Sequence, residues 1–181
     1  GQIAAYTFTP AATADFNVPN VKFSAMSQKD RDAKAKELLA AAGFDKSNPL
    51  ETTILYNTSE GHKKIAIAIS QMWKQKLGVQ TTLENQEWKT FLTTRGDGDF
   101  EVARAGWCGD YNEATSFLTL MVSSNTTGGQ HWGSKEYDAL IEKALKSTSE
   151  EERTKIYLEA EKMMKRNANR SNLPVRTFTS T

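Results

Sequence analysis

Thr52-Thr53-Ile54-Leu55-Tyr56, the run from about Glu60 to Leu77, and Val79-Gln80-Thr81-Thr82-Leu83 together decide the fold. The first stretch is β-branched and aromatic, which suits a pleated, half-buried strand. In the middle run Ile65, Ile69, Met72 and Trp73 keep the i, i+4, i+7, i+8 spacing of one buried helical stripe, and Gly78 ends it. The third stretch reads as a second strand. Strand, helix and strand within about 32 residues predict a βαβ unit, with a right-handed crossover to a parallel strand.

Working outward, the same logic places the other elements. Ser27 is an N-cap with Asp30 in the first turn, Leu38 and Leu39 supply an apolar face, and Gly43 is the stop. A shorter helix is predicted from Glu87 to about Thr94. Phe100 to Ala105 alternates as a third strand, and residues 113–122 read as helical. Ser123 to Gly133 reads as a loop. Two polar helices close the chain, one capped by Ser134 and one by Ser149 with Glu152 at the capping-box position. Tyr157, Ala160 and Met164 give the last helix its inner face. Residues 1–26 read as an irregular lead-in. Residues 167–181 form an atypical tail in which Leu173 to Phe178 suits an edge strand, where proline is tolerated. The predicted class is α/β, a mixed or mainly parallel sheet with helices on both faces, in one lobe spanning 1–181.

Composition excludes several functions. The 181 residues are 38% apolar and 25% charged, enough to build a buried core. The formal net charge of +1, with bases and acids interleaved, argues against nucleic acid as a partner. No run approaches the ~18 apolar residues that cross a bilayer. Two histidines, His62 and His131, and one cysteine, Cys108, leave no metal-ligand spacing, so no metal and no cofactor are expected. Cys108 with His62 is the one candidate for nucleophilic catalysis, but nothing around Cys108 forms a nucleophile signature, and the reading is not an enzyme. Gly106, Gly109 and Gly128-Gly129 form no phosphate loop.

The unusual segment runs from Trp88 to Phe117 and holds Trp88, Arg95, Arg104, Trp107, Asp110 and Tyr111. An aspartate pairs an ammonium, an arginine grips a carboxylate with two parallel hydrogen bonds, and tryptophan supplies an apolar wall. The set suits a small zwitterionic ligand. Spacing alone equally allows a packed tryptophan pair with surface arginines.

Three stretches resemble one family. They are Leu55-Tyr56-Asn57-Thr58-Ser59-Glu60-Gly61-His62-Lys63-Lys64-Ile65-Ala66-Ile67-Ala68, then Asn85-Gln86-Glu87-Trp88-Lys89-Thr90-Phe91-Leu92, then Val102-Ala103-Arg104-Ala105-Gly106-Trp107-Cys108-Gly109-Asp110-Tyr111-Asn112-Glu113. They are similar to the enterobacterial periplasmic oligopeptide-binding proteins and their murein-peptide-binding relatives, over about residues 1–165. The resemblance implies a periplasmic-binding-protein-like lobe, the C-terminal one of a two-lobed solute receptor. Its partners would be short peptides, the missing N-terminal lobe and the membrane subunits of an ABC importer, and its location the periplasm.

Carried over position by position, the resemblance assigns Asp110 to the peptide's α-ammonium. The backbone of Gly106, Trp107 and Cys108 would pair with an extended peptide as an added strand. Arg95, Arg104 and His62 would meet the carboxylate at different peptide lengths. Asn57, Trp88 and Trp107 would line side-chain pockets. Cys108 would be a free thiol, its partner lying outside this segment. One lobe alone leaves its ligand in water on one side, so weak or undetectable peptide binding is expected of this chain alone. The alternative is a proteolytic fragment acting as a protein-interaction or protease-inhibitor module.

Overall fold

The computed structural model describes residues 5–13, 16, 22–125 and 132–168. These divide into two compact units, one of residues 22–95 and 99–104, the other of residues 5–13, 16, 96–98, 105–125 and 132–168. The predicted edge strand from Leu173 to Phe178 lies outside the described residues.

The first unit contains the predicted βαβ motif. After a short helix α1 (Lys22–Ala25), Ser27 caps α2 (Gln28–Ala41) by accepting a hydrogen bond from the Asp30 amide. The chain then enters β1 (Glu51–Asn57), α3 (Glu60–Leu77) and β2 (Gln80–Gln86). Gly78 closes α3 in the left-handed region at φ 74°, a conformation that disfavours any side chain. β1 and β2 pair in parallel from Glu51↔Gln80 to Asn57↔Gln86. Next come α4 (Trp88–Asp97) and β3 (Val102–Ala103), which pairs in parallel with β1 to give the order β2-β1-β3. The two crossovers leave β1 and β2 in opposite directions across the sheet. Right-handedness therefore assigns α3 and α4 to opposite faces. Ile54 and Tyr56 pack with Ala66, Ile69 and Trp73 of α3, while Leu55, pointing the other way, is also buried.

Three expectations need correction here. β3 has two residues instead of six. The Glu101 carboxylate accepts from the Thr53 amide at 2.8 Å and from the Thr52 hydroxyl at 3.1 Å, so a side chain replaces the ladder at that point. Met72 is 54% exposed, because the buried stripe of α3 centres on Ala66, Ile69 and Trp73, and Met72 lies about a quarter-turn away. Leu38 is 58% exposed and α2 has no buried residue, so its apolar face does not enter the core.

The second unit is helical. The segment read as a helix over 113–122 is α5 (Thr115–Leu118) followed by a 3₁₀ turn (Thr119–Met121). α6 (Lys135–Lys146) is capped by Ser134, which accepts from the Tyr137 amide, and α7 (Glu150–Ala168) by Ser149, which accepts from the Glu152 amide at 3.3 Å. One core unites Leu118, Met121, Tyr137, Ile141, Ala144, Ile156, Tyr157, Ala160 and Met164. The predicted inner face of α7 is therefore the observed one. Tyr137, fully buried, donates its hydroxyl to the Leu118 carbonyl at 2.7 Å, which ties α6 to the end of α5. Glu161 of α7, 1% exposed, accepts from the Phe8 amide at 3.3 Å and the Thr9 amide at 2.7 Å, tying residues 5–13 to this helix.

Candidate functional site

The nine predicted site residues fall into two groups, one in each unit. Asn57, His62, Trp88, Arg95 and Arg104 belong to the sheet-bearing unit; Gly106, Trp107, Cys108 and Asp110 belong to the helical one.

In the sheet-bearing unit most of the group stands at the carboxyl ends of the strands, where α/β folds place ligands. Asn57 ends β1, His62 lies in the first turn of α3, Trp88 opens α4 after β2, and Arg104 follows β3 with its amide bonded to the Leu55 carbonyl at 2.8 Å. The His62 Nδ1 lies 3.4 Å from the Asn57 carbonyl oxygen, an acceptor that favours the proton on Nδ1. Arg95 lies over the Phe91 ring at 5.4 Å, and Phe91 in turn stacks on the half-exposed Trp88. Two of the three basic groups feel the charge of the third, Arg104. Burial, and then the positive charge of Arg104, hold both the Arg95 guanidinium and the His62 imidazole below their ordinary pKa values; for His62 the bond to Asn57 partly opposes this. Burial alone lowers Arg104. Arg104 forms no ion pair among the described residues. A partly desolvated guanidinium without an ion pair is unfavourable, and an anion beside Arg104 relieves it.

In the helical unit the chain from Gly106 to Asp110 forms an exposed loop. The backbone groups of Gly106, Trp107 and Cys108 form no hydrogen bond among the described residues, so they are available to an added strand. Trp107 is 41% exposed, yet its indole nitrogen donates to the Ser116 carbonyl at 2.9 Å. The Asp110 amide donates to the Ser116 hydroxyl at 2.8 Å, while the Asp110 carboxylate has no partner among the described residues. Cys108 is an exposed free thiol.

Sequence reasoning missed what supports this loop. Glu113 accepts from Arg153 at 2.9 Å, Tyr157 at 2.7 Å and Thr115 at 3.1 Å, and Thr115 accepts from Tyr111 at 3.1 Å. Burial pushes the Glu113 carboxyl up, but those donors outweigh it and hold the group below its ordinary range. β2 also runs beyond its expected end at Leu83, to Gln86. Neither Ser116 nor Glu113 carries a spacing signal.

The family model for bacterial extracellular solute-binding proteins, family 5 Middle, matches residues 1–129. The periplasmic oligopeptide-binding protein OppA of Salmonella typhimurium is 47% identical over 91% of this chain and 30% of its own length. The structure of the Escherichia coli murein tripeptide binding protein MppA is 44% identical with a TM-score of 0.87, covering 93% of this chain and 33% of that one. Haemophilus influenzae OppA in complex with RPPGFSPFR is 39% identical with a TM-score of 0.84, covering 91% of this chain and 33% of that one. The chain thus spans about a third of the length of these relatives. Among the described residues no helix is long and apolar enough to cross a membrane. The α/β architecture, the family model and these identities agree, and the chain belongs to family 5 of the bacterial extracellular solute-binding proteins.

Proposed function

We propose that this chain binds short peptides as one lobe of the periplasmic solute receptor of a bacterial ABC peptide importer. The observation that carries the reading is Arg104: a half-buried guanidinium at the end of a parallel strand, without an ion pair among the described residues, beside two further basic groups. Such a cluster suits a carboxylate, which arginine grips through two parallel hydrogen bonds. Arg95, Arg104 and His62 receive the peptide carboxylate. Asp110 receives the ammonium, and the free backbone of Gly106 to Cys108 receives the extended main chain. Asn57, Trp88 and Trp107 face side chains. The partners are the second lobe of the receptor and the membrane subunits of the importer. Membership of a solute-binding family supports this reading, as does the name oligopeptide-binding protein borne by relatives at 46–47% identity.

The test is a titration of the chain with tri-alanine and with tri-alanine amide, followed by NMR at millimolar peptide. Arg104→Ala should abolish the difference between the two peptides. A wild-type chain that treats them alike would remove the carboxylate assignment.

A further inference from the structure

We infer that Ser116 is the positioning residue of the ammonium-binding loop, an inference that rests on the peptide-binding reading above. One buried residue holds both ends of a four-residue turn. Its carbonyl accepts from the Trp107 indole at 2.9 Å and its hydroxyl accepts from the Asp110 amide at 2.8 Å. Ser116 is 4% exposed, whereas Trp107 is 41% exposed and Asp110 is also exposed. The groups that face solvent are thus fastened from below by one that does not.

The rest of the turn is shaped to the same latch. A Cβ on Gly109 would stand 2.9 Å from Phe117 Cζ, closer than packed atoms approach, and 3.2 Å from the Ser116 hydroxyl, a tight contact. Glycine at 109 lets the turn sit directly on α5. The three residues Gly109, Ser116 and Phe117 therefore form one seat, and the Glu113 network with Arg153 and Tyr157 fixes the next stretch of chain to α7.

The physical consequence concerns direction. A free aspartate on a mobile loop would lose rotational and backbone freedom when it met an ammonium, and that loss would weaken binding. With its amide held, Asp110 starts with its backbone set, and only the side chain must order. Trp107, bonded through its ring nitrogen, offers a wall at a set angle. Neither effect requires Ser116 to touch the peptide.

The proposal is tested on the full chain in two arms. The first arm uses no ligand. Ser116→Ala should speed amide exchange at Asp110 by roughly tenfold, the equivalent of about 1.4 kcal/mol and within the range of one hydrogen bond. Ser116→Thr, which keeps the hydroxyl, should restore protection. The second arm uses tri-alanine and N-acetyl-tri-alanine at millimolar concentration, read by NMR. Ser116→Ala should weaken binding of the free amine about threefold to tenfold and leave the acetylated peptide unchanged, because only the free amine uses Asp110. Gly109→Ala displaces the same turn without altering Ser116 and should show the same selectivity.

Unchanged exchange at Asp110 in Ser116→Ala would overturn the latch. Equal weakening of both peptides would make Ser116 a merely structural residue, and unchanged amine selectivity in Gly109→Ala would do the same for the seat. If the unsubstituted chain binds neither peptide, the peptide reading and the positioning role fall together. The exchange arm still decides whether the latch exists.

Discussion

Asn57 and Gln86 stand opposite one another in the parallel register of β1 and β2, and each ends in a buried side-chain carbonyl, Oδ1 and Oε1, that accepts no hydrogen bond among the described residues. A buried acceptor left unmade costs about 1–3 kcal/mol. Two in register at the carboxyl end of a sheet are a local expense of stability at a place where α/β folds bind ligands. The expected outcome is that Asn57→Leu and Gln86→Met are neutral or stabilising by up to about 1 kcal/mol in urea unfolding of the unliganded chain, since an apolar group of similar shape removes the unmet demand. A loss of about 2 kcal/mol in either variant would show that these oxygens are satisfied.

Glu161 gives the contrasting case of a buried acceptor in use. Its carboxylate receives the Phe8 and Thr9 amides, and it is 1% exposed. Glu161→Leu leaves two amides without that acceptor and should cost about 2–4 kcal/mol. Amide exchange at Thr9 should rise with it. A variant of wild-type stability would show that residues 5–13 contribute nothing to the helical unit.

His62 makes stability depend on pH with a definite sign. Its folded pKa lies below the ordinary 6.5, so the unfolded chain takes up the proton first. Its contribution is therefore fully present above pH 6.5 and declines as pH falls from 6.5 toward the lowered folded value. The urea midpoint of the wild-type chain should drop between pH 7.5 and 5.5 by more than that of His62→Gln. Parallel curves for the two proteins would contradict the assigned shift.

The Glu113 network titrates lower down. Its folded pKa lies below the ordinary 4.5, so its stabilisation is present above that value and is lost as pH falls through the folded pKa. Glu113→Ala should lower stability near neutral pH by about 1 kcal/mol, a modest figure because both ionised partners are partly exposed. The gap between Glu113→Ala and wild type should narrow below pH 4. A constant gap would mean that packing, rather than charge, accounts for the loss.

Much of this was legible in the sequence, and the reasons are local. Gly78, the Ile69–Trp73 spacing and the capping serines Ser27 and Ser134 each act within a few residues, so the helix limits follow from them directly. The sheet class followed from the strand, helix and strand around α3. What escaped depends on partners far apart in the chain. Glu101 shortens β3 by bonding to Thr53, 48 residues away. Glu113 meets Arg153, 40 residues away, and Glu161 meets Thr9, 152 residues away. Exposure of Met72 and Leu38 escaped for a related reason: apolar spacing shows which residues share a face, but not how much of that face another element covers.

The site was legible by residue type and by resemblance. The structure supplies the groupings within each unit: His62 and Arg95 each under the charge of Arg104 in one, and Trp107 and Asp110 fastened to Ser116 in the other. Ser116 itself had no signature, because a serine nine residues beyond a tryptophan is an ordinary spacing.

The most direct test of the central claim is an NMR titration of the chain with tri-alanine, repeated with the N-acetylated and C-amidated forms. The account predicts shifts at the Asp110 amide that vanish with N-acetylation, and shifts at the His62 ring that vanish with C-amidation. Shifts at both positions that persist unchanged when either end is blocked would contradict it.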